Sequence, residues 1–276
     1  MLKKLIVLSS LVWFALDANA DAPDTAFFRE KEAILLEQHN KMMQSTGSEK
    51  KTLELAFRDS LIRLFDHPEA PSYPFDSLKV IGRVKSDDNK LLVYTWNIPQ
   101  PGGFHNYYCI LQYYLKKEKK YTLIVLNEQP GFLNKYQQQM ATAANWPGAL
   151  YYKVVSTKYK GQTYYSILGF DFNNLVSNRK IIEVLTFDDQ GEPQFVPNAF
   201  IYDGKPQNRI VFEYNERVQM TLDYDEKNKM IVFDHLAPFK PSLQNQYQFY
   251  GPDLSYDAFI FKDGKWVHQK DISPTL

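Results

Sequence analysis

From Thr25 to Ser45 the chain carries Phe28, Ala33, Leu35, Leu36, His39, Met42 and Met43 with charges between them, and much of their spacing is three or four. That spacing puts one buried stripe on a helix. Thr46-Gly47-Ser48-Glu49 reads as a stop and restart: Gly47 suits a helix exit, and Thr46 with Glu49 has capping-box spacing. A second helix follows over Glu49–Phe65, with Leu53, Ala56, Phe57, Leu61, Leu64 and Phe65 on one side. Residues 21–67 are thus expected to form a helical hairpin whose stripes bury against the rest of the chain. His67-Pro68-Glu69-Ala70-Pro71-Ser72-Tyr73-Pro74 cannot continue a helix and favours extended backbone, so a subdomain boundary is placed there.

From Leu78 onward the period changes to that of strands. Short runs rich in Val, Ile, Tyr and Phe alternate with turn residues. The expected strands are Val80–Val84, Leu91–Trp96, Tyr107–Leu115, Tyr121–Leu126, Leu150–Thr157, Gln162–Phe170, Lys180–Phe187, Arg209–Tyr214, Val218–Tyr224, Met230–His235, Ala258–Lys262 and Lys265–Gln269. Asp263-Gly264 is a favoured two-residue hairpin turn, and other linking segments, such as 86–90 and 225–229, are short and polar. Short links make successive strands antiparallel neighbours. Residues 75–276 are therefore expected to form one large antiparallel β domain, and the chain as a whole a mainly β, α+β protein. Gln129–Pro147 fits either a short helix or a long irregular loop. Strand-rich stretches recur over 79–126, 151–195 and 210–269, two of them with an aromatic-Asp step (Phe170-Asp171, Phe233-Asp234). Three propeller-like blades would not normally close a ring, so a curved meander, a sandwich or a barrel is expected.

The start of the chain has a different grammar. Lys3 and Lys4 precede the apolar run Leu5–Leu16, and Ala18-Asn19-Ala20 supplies small residues where a signal peptidase reads. Residues 1–20 are expected to be a cleaved secretory leader. The apolar run is too short for a membrane span, which needs ~20 residues. The product is expected in the periplasm or outside the cell, and not as an integral membrane protein.

The chain of 276 residues carries 32 basic and 32 acidic side chains, so its net charge is zero. Without Lys3, Lys4 and Asp17 there remain 30 basic and 31 acidic, a net charge of −1. That balance argues against a nucleic-acid partner, which would demand a basic surface. Cys109 lies in an aromatic and apolar run and is expected to be a buried, inert thiol. The five histidines show no metal spacing, and no phosphate-binding, dinucleotide or nucleophile-elbow motif occurs, so no cofactor is expected. His105 and Cys109 would be too far apart along one strand to form a dyad.

Aromatic residues are the one excess, with 19 Tyr, 19 Phe and 4 Trp. Paired tyrosines at 107–108, 113–114, 151–152 and 164–165 would place one ring on each face of a strand. Carboxylates sit mostly at turns, among them Asp171, Asp188, Asp189, Asp223, Asp225, Asp234, Asp253 and Asp257, and the sequence selects no catalytic pair from them. Tyr164–Asp171, Met230–Pro238, Tyr250–Ala258 and Lys262–Val267 together resemble a family of exported bacterial proteins without an assigned function, over about residues 150–270. The resemblance implies export and a β-rich domain, and brings no catalytic residues. Tyr250, Asp253, Tyr256 and Asp257, from the Tyr-Gly-Pro-Asp segment, and Trp96 are the candidate ligand-contacting residues. The expected function is non-enzymatic binding of an envelope protein or a glycan through aromatic-rich strands. The alternative is a carbohydrate-active hydrolase with paired carboxylates.

Overall fold

The computed structural model describes residues 24–133 and 138–273. The leader (1–20) and the middle of the ambiguous Gln129–Pro147 segment lie outside them. Two helices come first, α1 (Thr25–Gln44) and α2 (Gly47–Phe65). The Asp24 carboxylate caps α1, accepting from the N–H groups of Ala26 and Phe27 at 3.0 Å each. Gly47 has φ +57°, a left-handed turn that suits glycine. Thr46 occupies the N-cap of α2 but makes no side-chain cap bond, so the expected capping box is absent.

Among the described residues fifteen strands form three sheets. The first runs β1 (Gly82–Lys85), β2 (Leu91–Pro99), β3 (His105–Leu115), β4 (Lys120–Leu126), in that order and antiparallel throughout. The second holds β5 (Leu150–Tyr159), β6 (Gln162–Asp171), β7 (Ser177–Phe187), the short β8 (Pro193–Phe195) and β11 (Ile210–Asn215). Its order is β11-β7-β6-β5, and β8 also pairs with β7. The third holds β9 (Phe200–Tyr202), β10 (Lys205–Gln207), β12 (Leu222–Asp225), β13 (Met230–Pro238), β14 (Tyr250–Lys262) and β15 (Lys265–Ile272), in the order β10-β9-β15-β14-β13-β12. Among the described strands one pairing departs from the antiparallel rule: β9 runs parallel to β15, with Phe200 opposite Trp266.

Side-chain alternation stacks these elements in four layers. Even-numbered residues of β2 and β3, including Leu92, Tyr94, Trp96 and Ile110, pack against Phe57, Leu61 and Phe65 of α2. Odd-numbered Leu91, Val93, Cys109 and Leu111 face Tyr165, Ile167, Ile181 and Leu185 of the second sheet. The other face of the second sheet, with Leu168, Ile182 and Phe212, meets Phe233, Phe259 and Trp266 of the third. Sheets covered on both faces bury consecutive residues, which is why Leu91–Trp96 is apolar nearly without interruption. A bulge between Tyr151 and Lys153 resets β5, so that Tyr151 and Val154 both enter the first intersheet core. Gly169 is fitted to that ring: a Cβ there would lie 2.8 Å from Tyr151 Cδ1.

Polar groups lock the layers. The buried Glu32 carboxylate in α1 accepts from Tyr73 Oη at 2.9 Å and from the N–H groups of Ser77 and Leu78 at 3.0 and 3.2 Å. Glu54 in α2 accepts from Asn106 Nδ2 at 2.8 Å and from the Tyr108 hydroxyl. Between the first and second sheets, Trp146 Nε1 donates to Tyr151 Oη, which donates to Glu183, which also holds Arg209. Between the second and third, Trp266 Nε1 donates to Ser166 Oγ at 2.7 Å. Cys109 is buried, and burial pushes its thiol well above the usual range. No helix among the described residues is long and apolar enough to cross a membrane.

Candidate functional site

The strand order of the second sheet ends at β11, and this edge opens onto a cleft of about 570 Å³. Ile210 to Glu213 form its floor. Tyr202 of β9, Leu236 of β13, Tyr247 and Tyr250 stand on the side of the third sheet, and Leu133, Gln138 and Arg209 line it as well. Tyr202 is held flat by stacking on His268, with ring centroids 4.4 Å apart. Tyr247 and Tyr250 pack against each other at 5.1 Å, and the Tyr250 hydroxyl accepts from the Asn245 N–H at 2.9 Å.

Register determines which main-chain groups of β11 face the cleft. Ile210, Phe212 and Tyr214 lie opposite Ile182, Lys180 and Asn178, and one step further Glu216 N–H donates to the Val176 carbonyl at 3.2 Å. In an antiparallel ladder, hydrogen-bonded pairs alternate with non-bonded pairs. The even-numbered residues therefore bond β7, while the N–H and C=O groups of Val211 and Glu213 point away from it. Those four groups make no hydrogen bond to any described residue.

The charged side chains around the cleft are compensated. Arg179 Nε lies 2.9 Å from Glu213 and its Nη1 lies 3.6 Å from Asp171. Arg209 Nε lies 2.9 Å from Glu183, its Nη1 donates to the Gln139 carbonyl at 2.7 Å, and its guanidinium covers the Phe132 ring at 4.9 Å. The cleft thus offers tyrosine rings and main-chain groups in preference to net charge.

Of the sequence candidates, Tyr250 lines the cleft. Asp253 lies on the exposed part of β14, where it accepts from His235 Nδ1 at 2.8 Å and from Ser255 Oγ at 2.7 Å beside the exposed Leu254. Tyr256 is half-buried opposite Asp234. Two candidates require correction. Trp96 is 2% exposed and stacks on Tyr108 at 5.1 Å, because the even face of β2 is covered by the helices. Asp257 is 1% exposed and accepts from His268 Nε2 at 3.0 Å and from the Asp271 N–H at 3.0 Å. Neither reaches a surface ligand. The tyrosine pairs do place rings on opposite faces, yet the second ring often meets another layer: Tyr165 enters one intersheet core while Tyr164 packs on the other.

A second polar cluster lies where β3 meets the end of β6. Tyr107 Oη donates to Asp171 at 2.9 Å and accepts from the Phe172 N–H, while Tyr107 N–H donates to Glu128 at 2.6 Å. Burial lifts Asp171 above the usual carboxylate range, against bonds from Asn173 N–H and Tyr107 and the charge of Arg179. Burial pushes Glu128 up to about 7 from 4.5, against the Tyr107 N–H bond and with repulsion from Asp171 and Glu54. A carboxyl raised on folding keeps a proton that the unfolded chain has released. Stability is therefore complete below pH 4.5 and falls as pH rises to about 7, by on the order of 3 kcal/mol. Glu128→Gln is expected to flatten that slope in urea unfolding at pH 5 and pH 8; an unchanged slope would assign it elsewhere. No cluster of three or more His, Cys, Asp or Glu suited to a metal occurs among the described residues.

Comparison with family models, with curated proteins and with solved structures found no match to this chain. The site must therefore be judged on its own geometry. Sequence reasoning missed Tyr202, Tyr247, Arg209 and Glu213. The available signal was a pair of charges, Arg209 and Glu213, within an otherwise apolar and aromatic strand, an arrangement that marks edges.

Proposed function

We propose that this is an exported, non-enzymatic binding protein of the bacterial cell envelope, similar to the family noted from its sequence, and that its ligand occupies the cleft beside β11. One observation carries the proposal: three tyrosines, Tyr202, Tyr247 and Tyr250, converge on a cleft that also holds main-chain groups without a hydrogen bond to any described residue. Concave sites with aromatic walls and a few convergent polar groups are the usual form of a binding site. The leader supports export.

Hydrolysis of a carbohydrate is the second reading. It is favoured by the Glu128–Tyr107–Asp171 cluster, where a carboxyl held near 7 has the character of a general acid.

The test uses periplasmic protein whose N-terminus is read as Asp21, titrated with chitohexaose and with reduced, alkylated α-lactalbumin, which is permanently unfolded. At least one probe is expected to bind, and Tyr250→Ala is expected to weaken it at least tenfold without a change in Tm. Binding that survives Tyr250→Ala, or no binding of either probe, overturns the assignment of the cleft. Cleavage of chitohexaose that is lost in Glu128→Gln establishes the second reading instead.

A further inference from the structure

We infer that the cleft takes an extended, uncharged polypeptide segment as an added strand on β11, an inference that rests on the cleft being the binding site. The N–H and C=O groups of Val211 and Glu213 form two donors and two acceptors in strand register, on the side away from β7 and at the lining of the cleft. That set matches the main chain of another β-strand, which supplies donors and acceptors in the same spacing, and this is how proteins add a peptide to a sheet edge. A saccharide has no such repeat.

The slot has ends. Beyond Ile210, Gln138 is hydrogen-bonded to Asn208 through its Oε1. Beyond Tyr214, Asn215 Nδ2 donates to the Gln248 carbonyl at 2.6 Å. The open length is therefore about four residues, or ~13 Å of strand.

The two sides also differ. On the side of the third sheet stand Tyr202, Leu236 and Tyr250, next to the face that carries Ile210 and Phe212. On the other face, Glu213 and Arg179 form a compensated pair opposite each other in the ladder. Alternate side chains of an added strand meet these two environments in turn. The segment that fits has aromatic or aliphatic residues at one parity and neutral polar residues at the other. An anionic ligand gains little, because Arg179 and Arg209 are neutralised by Glu213, Asp171 and Glu183.

The probes are acetyl-Gln-Phe-Gln-Phe-Gln-amide, two versions N-methylated at alternating amides, and chitohexaose. The peptide is expected to bind and to shift and protect the Val211 and Glu213 amides in NMR spectra. One N-methylated set is expected to weaken binding at least tenfold and the other to leave it nearly unchanged, because only alternate amides face the partner strand. Val211→Pro removes an outward N–H, which an edge strand tolerates, and trims a side chain packed on the first intersheet core; it is expected to stay folded with a lowered Tm while weakening the peptide at least tenfold. Should that variant not fold, the N-methylated pair decides alone. Chitohexaose binding that needs Tyr250 but is indifferent to Val211→Pro, with no peptide binding, overturns the added strand and leaves the cleft as a binding site. Equal losses from both methylation patterns also overturn it. If no probe perturbs the cleft amides, both the added strand and the binding site fall.

Discussion

Replacing Glu183 with alanine is expected to destabilise the protein by about 3–5 kcal/mol, the cost of leaving a buried charge without its partner. Arg209 is 2% exposed and Glu183 1%, so water cannot replace the lost carboxylate. The Tyr151 hydroxyl loses its acceptor at 2.7 Å in the same step, and the bond from Trp146 to Tyr151 loses its anchor. Glu183→Gln separates charge from hydrogen bonding: the amide oxygen can still accept from Tyr151, while the attraction to Arg209 is gone. It should fall between wild type and alanine. The double replacement Glu183→Met with Arg209→Met removes both charges, and should recover much of the loss because apolar side chains of similar volume fill such sites well. Urea unfolding of the four variants measures the coupling. A loss below about 1 kcal/mol for Glu183→Ala would show that the pair is solvated, as surface pairs are.

Trp266→Ala is expected to cost a similar about 3–5 kcal/mol, by removing a large buried ring from the core between the second and third sheets. Trp266 is fully buried, lies 5.2 Å from Phe261 and anchors the parallel pairing with β9 through Phe200. Trp266→Phe keeps most of the volume and removes the donor to Ser166 Oγ, itself buried. That leaves a hydroxyl without its partner, at about 1–3 kcal/mol. Calorimetry should show a single transition shifted downward in both variants, because the third sheet shares its core with the second. A split transition would mean that the outer sheet unfolds independently.

The sequence shows the coarse order of the fold well and its lateral arrangement poorly. Helical spacing located α1 and α2, and the three prolines marked where helices stop. The stretches 79–126 and 151–195 correspond to the first two sheets. The third stretch was grouped one strand too widely: β11 crosses to the second sheet, a pairing over long sequence separation that a local period does not record. Strands β8, β9 and β10 have three residues each, too few to show alternation. The parallel contact of β9 with β15 follows from this, since a three-residue strand can return beside the sheet without a helix.

The candidate site was legible only at Tyr250. Period-2 alternation says that Tyr107 and Tyr108 point to opposite faces of their sheet, but not that both faces are covered, nor that Trp96 shares the covered face of Tyr108. Asp257 reads as a turn carboxylate, and only pairing with β15 brings His268 over it. The main-chain groups that β11 turns to the cleft are identical in every residue; only register reveals which of them face away from β7.

Amide hydrogen exchange in the free protein tests the open edge most directly. The amides of Val211 and Glu213 are expected to exchange at least a hundredfold faster than those of Ile210, Phe212 and Tyr214, which bond β7. Uniform protection along all five, or fast exchange at the even-numbered positions, would mean that β11 has another neighbour or another register, and that the cleft has no strand edge to offer.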